Sequence, residues 1–176
     1  DFEDTNFSSN VEDLILAAQQ LEEKFSAPSV LVGHSLGGAA VIRAACELPA
    51  VKAVATIGAP FDPSHVSHLF GEGIEIIEKE GIANVQIAGR PFTVKKHFLE
   101  DVRQQSLGAC LKKMDKSLLI LHAPQDRTVA IENASDMYLA AMHPKSFVTL
   151  DGADHMLSNK ADSLYVGNMI ANWAQR

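Results

Sequence analysis

The run Gly33-His34-Ser35-Leu36-Gly37-Gly38 sets a serine midway between two glycines, the spacing of a nucleophile carried on a sharp strand-to-helix turn. Its flanks agree with that placement: Ser29-Val30-Leu31-Val32 reads as a short buried strand, and an alanine-rich helical stretch follows the glycines to about Glu47. Gly33 and Gly37 are expected where a Cβ would strike neighbouring backbone, and Gly38 where helix and strand pack closely. A helix starting beside Ser35 would aim free amides and its positive end at an oxyanion, with the Leu36 N–H as first donor. A serine hydroxyl is a weak nucleophile at neutral pH, so it needs a base to take its proton and an acid to orient that base. His155, in Asp151-Gly152-Ala153-Asp154-His155 after an expected strand, is the candidate base. Asp126, Asp151 and Asp154 are the candidate acids. The last two lie so close to His155 along the chain that reaching its ring while Ser35 takes the other side is sterically awkward. Asp126 also fits an ordinary turn-capping carboxylate ahead of Thr128 and Val129.

The other histidines carry weaker signals. His34 is expected to point away from the base and to serve packing or pocket lining. His65 and His68 have the i, i+3 spacing of a metal pair, but no third ligand of suitable spacing accompanies them, so no metal is expected. His97, His122 and His143 read as structural or surface residues.

These groups need a scaffold, and the chain provides a repeating strand-then-helix cadence. Ser9-Asn10-Val11-Glu12 reads as a capping box opening an amphipathic helix with Val11, Leu14, Ile15, Ala18, Leu21 and Phe25 on one face; Pro28 stops it. Strands are expected at Val51 to Ile57, Ser117 to His122 and Ser146 to Leu150, with helices near Ala130 to Ala141 and Ser158 to Trp173. Repeated βα units imply an α/β fold with a parallel, right-handed, doubly wound sheet. Residues 60–116 break the cadence, with a hairpin expected to turn at Ala88-Gly89-Arg90, and read as a cap insertion within a single domain, 1–176. Ser35, Asp126 and His155 each follow a strand, so three strand ends converge on one sheet edge.

Composition narrows the partners. The 176 residues are 47% apolar, enough for a substantial core, and 22 acidic against 15 basic residues give a formal charge of −7. No basic stripe is present to neutralise a phosphate backbone, so nucleic acid is excluded as an expected partner. The apolar runs are strand-sized, far short of the ~20 residues a membrane helix needs. Two cysteines are too few for a secreted disulfide framework; Cys46 reads as a buried free thiol, which places the chain in a reducing cytoplasm.

The elbow, acid loop and histidine loop together resemble the α/β-hydrolase superfamily. More narrowly, Asp4-Thr5-Asn6-Phe7-Ser8-Ser9-Asn10, Gly33 to Gly38, Thr56-Ile57-Gly58-Ala59-Pro60 and Pro144-Lys145-Ser146-Phe147 look like the hydrolase half of bacterial proteins that carry an OsmC-like domain after it. The resemblance implies the chain order serine, acid, histidine, which favours Asp126, and an esterase-like reaction needing no cofactor. It also implies a departure: one helix precedes the elbow strand where the family has several strands, so the expected fold is an α/β-hydrolase sheet lacking its N-terminal strands. The loop that supplies a second oxyanion donor in the family has no counterpart before Ser29, a loss that typically costs ~10²–10³ in turnover. Self-association or a companion segment is expected to cover the open edge. The resulting expectation is a serine esterase or thioesterase acting on a small ester, with Pro60, Phe61 and the insertion walling an apolar pocket. The alternative is a weakly active or non-catalytic half-domain serving as an interaction module.

Overall fold

A computed structural model describes residues 2–87 and 89–175. The first long element, α1 (Phe7–Lys24), starts three residues before the expected point. Its cap is Asn6, not Ser9: the Asn6 side chain accepts the Ser9 N–H at 2.7 Å while the Ser9 hydroxyl receives the Asn6 N–H at 2.9 Å. A reciprocal box of this kind satisfies two orphan amides and contributes about 1 kcal/mol. Val11 and Ala18 of the expected stripe are buried, and Leu14 and Ile15 pack against the core. Leu21 and Phe25 do not join them; Phe25 is 82% exposed.

Strand β1 (Val30–His34) leads into α2 (Leu36–Ala45), then β2 (Ala53–Ile57). After residues 58–116 come β5 (Ser117–His122), α6 (Glu132–Ala140), β6 (Lys145–Thr149) and α7 (Lys160–Trp173). The four strands form one parallel sheet in the order β1-β2-β5-β6. Both faces are apolar, which is why these strands read as continuous hydrophobic runs. Along β5, Leu118 and Ile120 face a core shared with α1, α2 and α6, while Leu119 and Leu121 face the side covered by α7. Each of these four is 0–1% exposed, a burial that stabilises by roughly 1.5–3 kcal/mol per side chain. β1 lies at the sheet edge, and Val32, on the α7 side next to Ala55, is 47% exposed.

Between β2 and β5 the chain makes a 3-10 segment (Pro63–Phe70), α3 (Gly73–Glu80), a hairpin of β3 (Ile82–Ile87) and β4 (Arg90–Lys95), α4 (Lys96–Val102) and the short α5 (Gly108–Leu111). The hairpin closes at the expected place, with Ile87 paired to Arg90; Ala88 lies outside the described residues. The Asp101 carboxylate on α4 accepts the Ser8 N–H at 2.8 Å, so this segment helps cap α1. It is also tied to α2 covalently. Cys46 and Cys110 form a disulfide with Cα atoms 6.2 Å apart, and Cys46 is exposed. The expectation of a buried free thiol is thereby corrected: Cys46 ends α2 with its side chain on the outer surface, within reach of α5. A bridged pair gives no indication of a reducing compartment. No described helix is long and apolar enough to cross a membrane.

Candidate active site

Ser35 sits between β1 and α2 with φ 52° and ψ −132°, a conformation that costs a non-glycine residue roughly 1–3 kcal/mol. The turn is held by the Ser35 N–H donating to Ile57 O and the Gly38 N–H donating to Ser35 O, both at 2.8 Å. The glycines around it differ in what they require. A Cβ on Gly33 would run into the Gly37 carbonyl and lie 2.6 Å from Gly38 Cα; one on Gly38 would lie 2.5 Å from the Ala59 Cβ. A Cβ on Gly37 would meet nothing within 4 Å, which corrects the expectation that this glycine is needed for space. The Leu36 and Gly37 amides belong to the first turn of α2, whose N–H groups have no intrahelical acceptor.

The loop after β6 delivers His155, and the loop after β5 delivers Asp126. The structure brings Ser35, His155 and Asp126 into one line: the Ser35 hydroxyl lies 3.0 Å from His155 Nε2, and His155 Nδ1 lies 2.7 Å from Asp126 Oδ2. The acid is also the turn cap that its sequence context allowed, since Oδ1 accepts the Thr128 and Val129 N–H groups at 2.8 and 2.9 Å. Its side chain is 1% exposed. Burial pushes the Asp126 carboxyl up, but hydrogen bonds from His155, Val129 and Thr128 outweigh that and hold it below the usual carboxylate range. The rival acids are exposed and engaged elsewhere: Asp154 accepts the Ser158 N–H at 2.8 Å and Asp151 lies beside Thr149.

His34 does not point away from the base. Its Nε2 donates to the His155 carbonyl at 2.7 Å, and the two rings lie 4.8 Å apart. The carbonyl can only accept, so the His34 proton sits on Nε2; burial lowers the pKa of this ring and keeps it neutral. The expected packing role thus takes a specific form, a strut between the elbow and the base loop.

The sequence gives Gly58 no chemical role of its own. It has φ +53°, and a Cβ there would lie 3.3 Å from both Asp126 Oδ2 and His155 Nδ1. The signal available in the sequence is its position directly after a strand whose neighbours lead to Ser35 and Asp126. His65 and His68 face each other with ring centroids 4.3 Å apart, and His68 Nδ1 is bonded to the His65 carbonyl. No group of three metal-ligating side chains occurs among the described residues. The groove that borders Leu36 and Gly37, about 450 Å³, is walled by Phe7, Asn10, Leu14 and Ala40 of α1 and α2. Pro60, Phe61 and the insertion do not line this groove, which lies where α1 packs against α2.

Residues 1–164 match the model of the alpha/beta hydrolase family. Among solved structures, the esterase domain of a Rhodothermus marinus protein is 48% identical, with TM-score 0.81 over 98% of this chain and 69% of that one. Alpha/beta hydrolase domain-containing protein 10 from mouse has TM-score 0.73 at 20% identity, covering 94% of this chain and 69% of that one. Est1E from Butyrivibrio proteoclasticus has TM-score 0.72 at 20% identity, covering 96% and 72% respectively. These last two share the fold alone. No curated protein matches the chain.

Proposed function

Because this chain belongs to the alpha/beta hydrolase family, we propose that it is a serine hydrolase cleaving a carboxylic ester or thioester, with Ser35 as nucleophile, His155 as base and Asp126 as orienting acid. The observation that carries the reading is the unbroken line of hydrogen bonds from Ser35 Oγ through the His155 ring to Asp126 Oδ2. The 48% identical relative is an esterase domain, which supports an ester as substrate.

In this mechanism His155 Nε2 takes the hydroxyl proton as Ser35 Oγ attacks the carbonyl carbon, and Asp126 stabilises the resulting imidazolium through Nδ1–H. The carbonyl oxygen, now negative, accepts from the Leu36 N–H at the positive end of α2. His155 returns the proton to the departing alcohol or thiol, leaving an acyl group on Ser35. Water, deprotonated by the same nitrogen, then releases the acid and restores the serine.

Treatment with a fluorophosphonate probe tests the proposal. Labelling should be stoichiometric, mapped to Ser35, abolished in Ser35→Ala, and slowed by orders of magnitude in His155→Ala, with p-nitrophenyl acetate turnover following the same pattern. A chain that takes no label and turns over no ester, or one labelled equally fast without His155, would leave the interaction-module alternative standing.

A further inference from the structure

One buried polar group beside the site has no role in the mechanism above. His122, the last residue of β5, is 0% exposed. Its Nε2 donates to the Val129 carbonyl at 2.8 Å, while its Nδ1 has no hydrogen-bond partner among the described residues. A carbonyl cannot donate, so Nε2 carries a proton, and Nδ1 is left unsatisfied in the interior. Buried polar atoms without partners are rare in native proteins and call for a reason to retain them. A histidine at this position exchanges one unsatisfied nitrogen for one well-directed N–H.

That N–H is directed at the far end of the acid turn. Residues 123–129 leave the sheet after His122, and Asp126 Oδ1 gathers the Thr128 and Val129 amides. Val129 therefore has its N–H bonded to Asp126 and its carbonyl bonded to His122. The His122 bond closes the loop onto the strand from which it departs, a span of seven residues. The same Nε2 lies 3.8 Å from Asp126 Oδ2, too far for a hydrogen bond, yet it presents the positive edge of the ring to the oxygen that faces His155. We propose that His122 is a positioning residue of this site: by clamping Val129 it holds the acid turn so that Asp126 keeps Oδ2 free and aimed at His155. The inference rests on the reading of Ser35, His155 and Asp126 as the reacting groups.

The test compares His122→Phe, which keeps a ring and removes the donor, with His122→Gln, which restores an N–H. Both are made in the full chain and assayed with p-nitrophenyl acetate and by the rate of fluorophosphonate labelling. His122→Phe should lower kcat by roughly 10- to 100-fold, the cost of a misplacement on the order of 1 Å, with KM little changed. His122→Gln should recover most of the loss. In an Asp126→Asn background His122→Phe should cost nothing further, since a residue that acts through Asp126 has nothing left to position. A folded His122→Phe with wild-type kcat, or one whose loss persists unchanged in the Asp126→Asn background, overturns the proposal. Should His122→Phe fail to fold, ¹⁵N NMR of the wild-type imidazoles decides: His122 must carry its proton on Nε2 and exchange it slowly with solvent, and an unprotonated or fast-exchanging Nε2 refutes the clamp. If Asp126→Asn alone leaves kcat intact, the underlying reading has failed, an outcome separate from failure of the clamp.

Discussion

Asp126 meets His155 with a single carboxylate oxygen, Oδ2 at 2.7 Å from Nδ1, because its other oxygen is already committed to two amides of its own turn. In the proposed mechanism, orientation of the base and shape of the acid loop are thus two functions of one side chain. Asp126→Asn separates them. The amide oxygen can still accept from Thr128 and Val129, so the turn survives, but an NH₂ facing Nδ1 selects the wrong tautomer of His155. A loss of about 10⁴ in kcat is expected, read by esterase turnover, with the fold intact by circular dichroism. The depressed carboxyl also makes a pH statement. Its stabilising contribution is fully present above the unfolded value of 3.8 and is lost as pH falls through the lower folded value. Asp126→Asn should therefore flatten the acid end of the stability curve.

The strut from His34 to the His155 carbonyl predicts a second pH dependence. Burial holds the His34 ring neutral, with its pKa below the unfolded 6.5. Below pH 6.5 the unfolded chain takes up a proton that the native ring refuses, so stability is complete above that pH and declines as pH falls toward the native pKa. Denaturant titrations from pH 7.5 to 5 should show this slope, and His34→Gln should remove part of it. An unchanged slope in that variant would contradict the assignment.

Much of this arrangement was legible in the sequence because it depends on local rules. A glycine-flanked serine between a β-branched run and an alanine-rich run specifies a strand, a sharp turn and a helix, and β5 begins and ends at the expected residues. Contacts between loops were not legible. His34, His122 and Gly58 acquire their roles from partners 121, 7 and nearly 100 residues away, and neither periodicity nor spacing reports what a loop tip touches. The Asn6 cap was missed for a different reason: Asn6 and Ser9 form the same kind of box as Ser9 and Glu12, three residues earlier, and composition cannot choose between two valid starts.

The Cys46–Cys110 bridge closes a loop across 64 residues and joins α2 to the segment between β2 and β5. In the chain-entropy view, restricting the unfolded chain over that span contributes about 4 kcal/mol. Cys46→Ser with Cys110→Ser, or reduction by a strong thiol reductant, should lower the melting temperature by roughly 10 °C. A melt unaffected by reductant, together with two titratable thiols in the unfolded chain before reduction, would rule the bridge out.

The two glycines of the elbow motif should respond oppositely to the same substitution. At Gly33 an added methyl meets backbone, the Gly37 carbonyl and the Gly38 Cα, and neither can swing aside as a side chain would. Gly33→Ala must push β1 away from α2 or open the turn that presents Ser35, and a loss of at least about 1–3 kcal/mol is expected along with slower labelling of the serine. Gly37 stands in the first turn of α2 with a helical backbone and open space where its Cβ would be. Gly37→Ala removes freedom from the unfolded chain without native strain, so it should stabilise the fold by about 0.4–1 kcal/mol. Because Gly37 borders the groove beside Leu36, the new methyl would narrow that groove. If bulky acyl groups occupy it, their KM should rise while acetate esters are unaffected. Thermal melts of the two variants and paired assays with acetate and longer acyl esters check both halves, and equal destabilisation by the two alanines would show that the open space at residue 37 does not exist in solution.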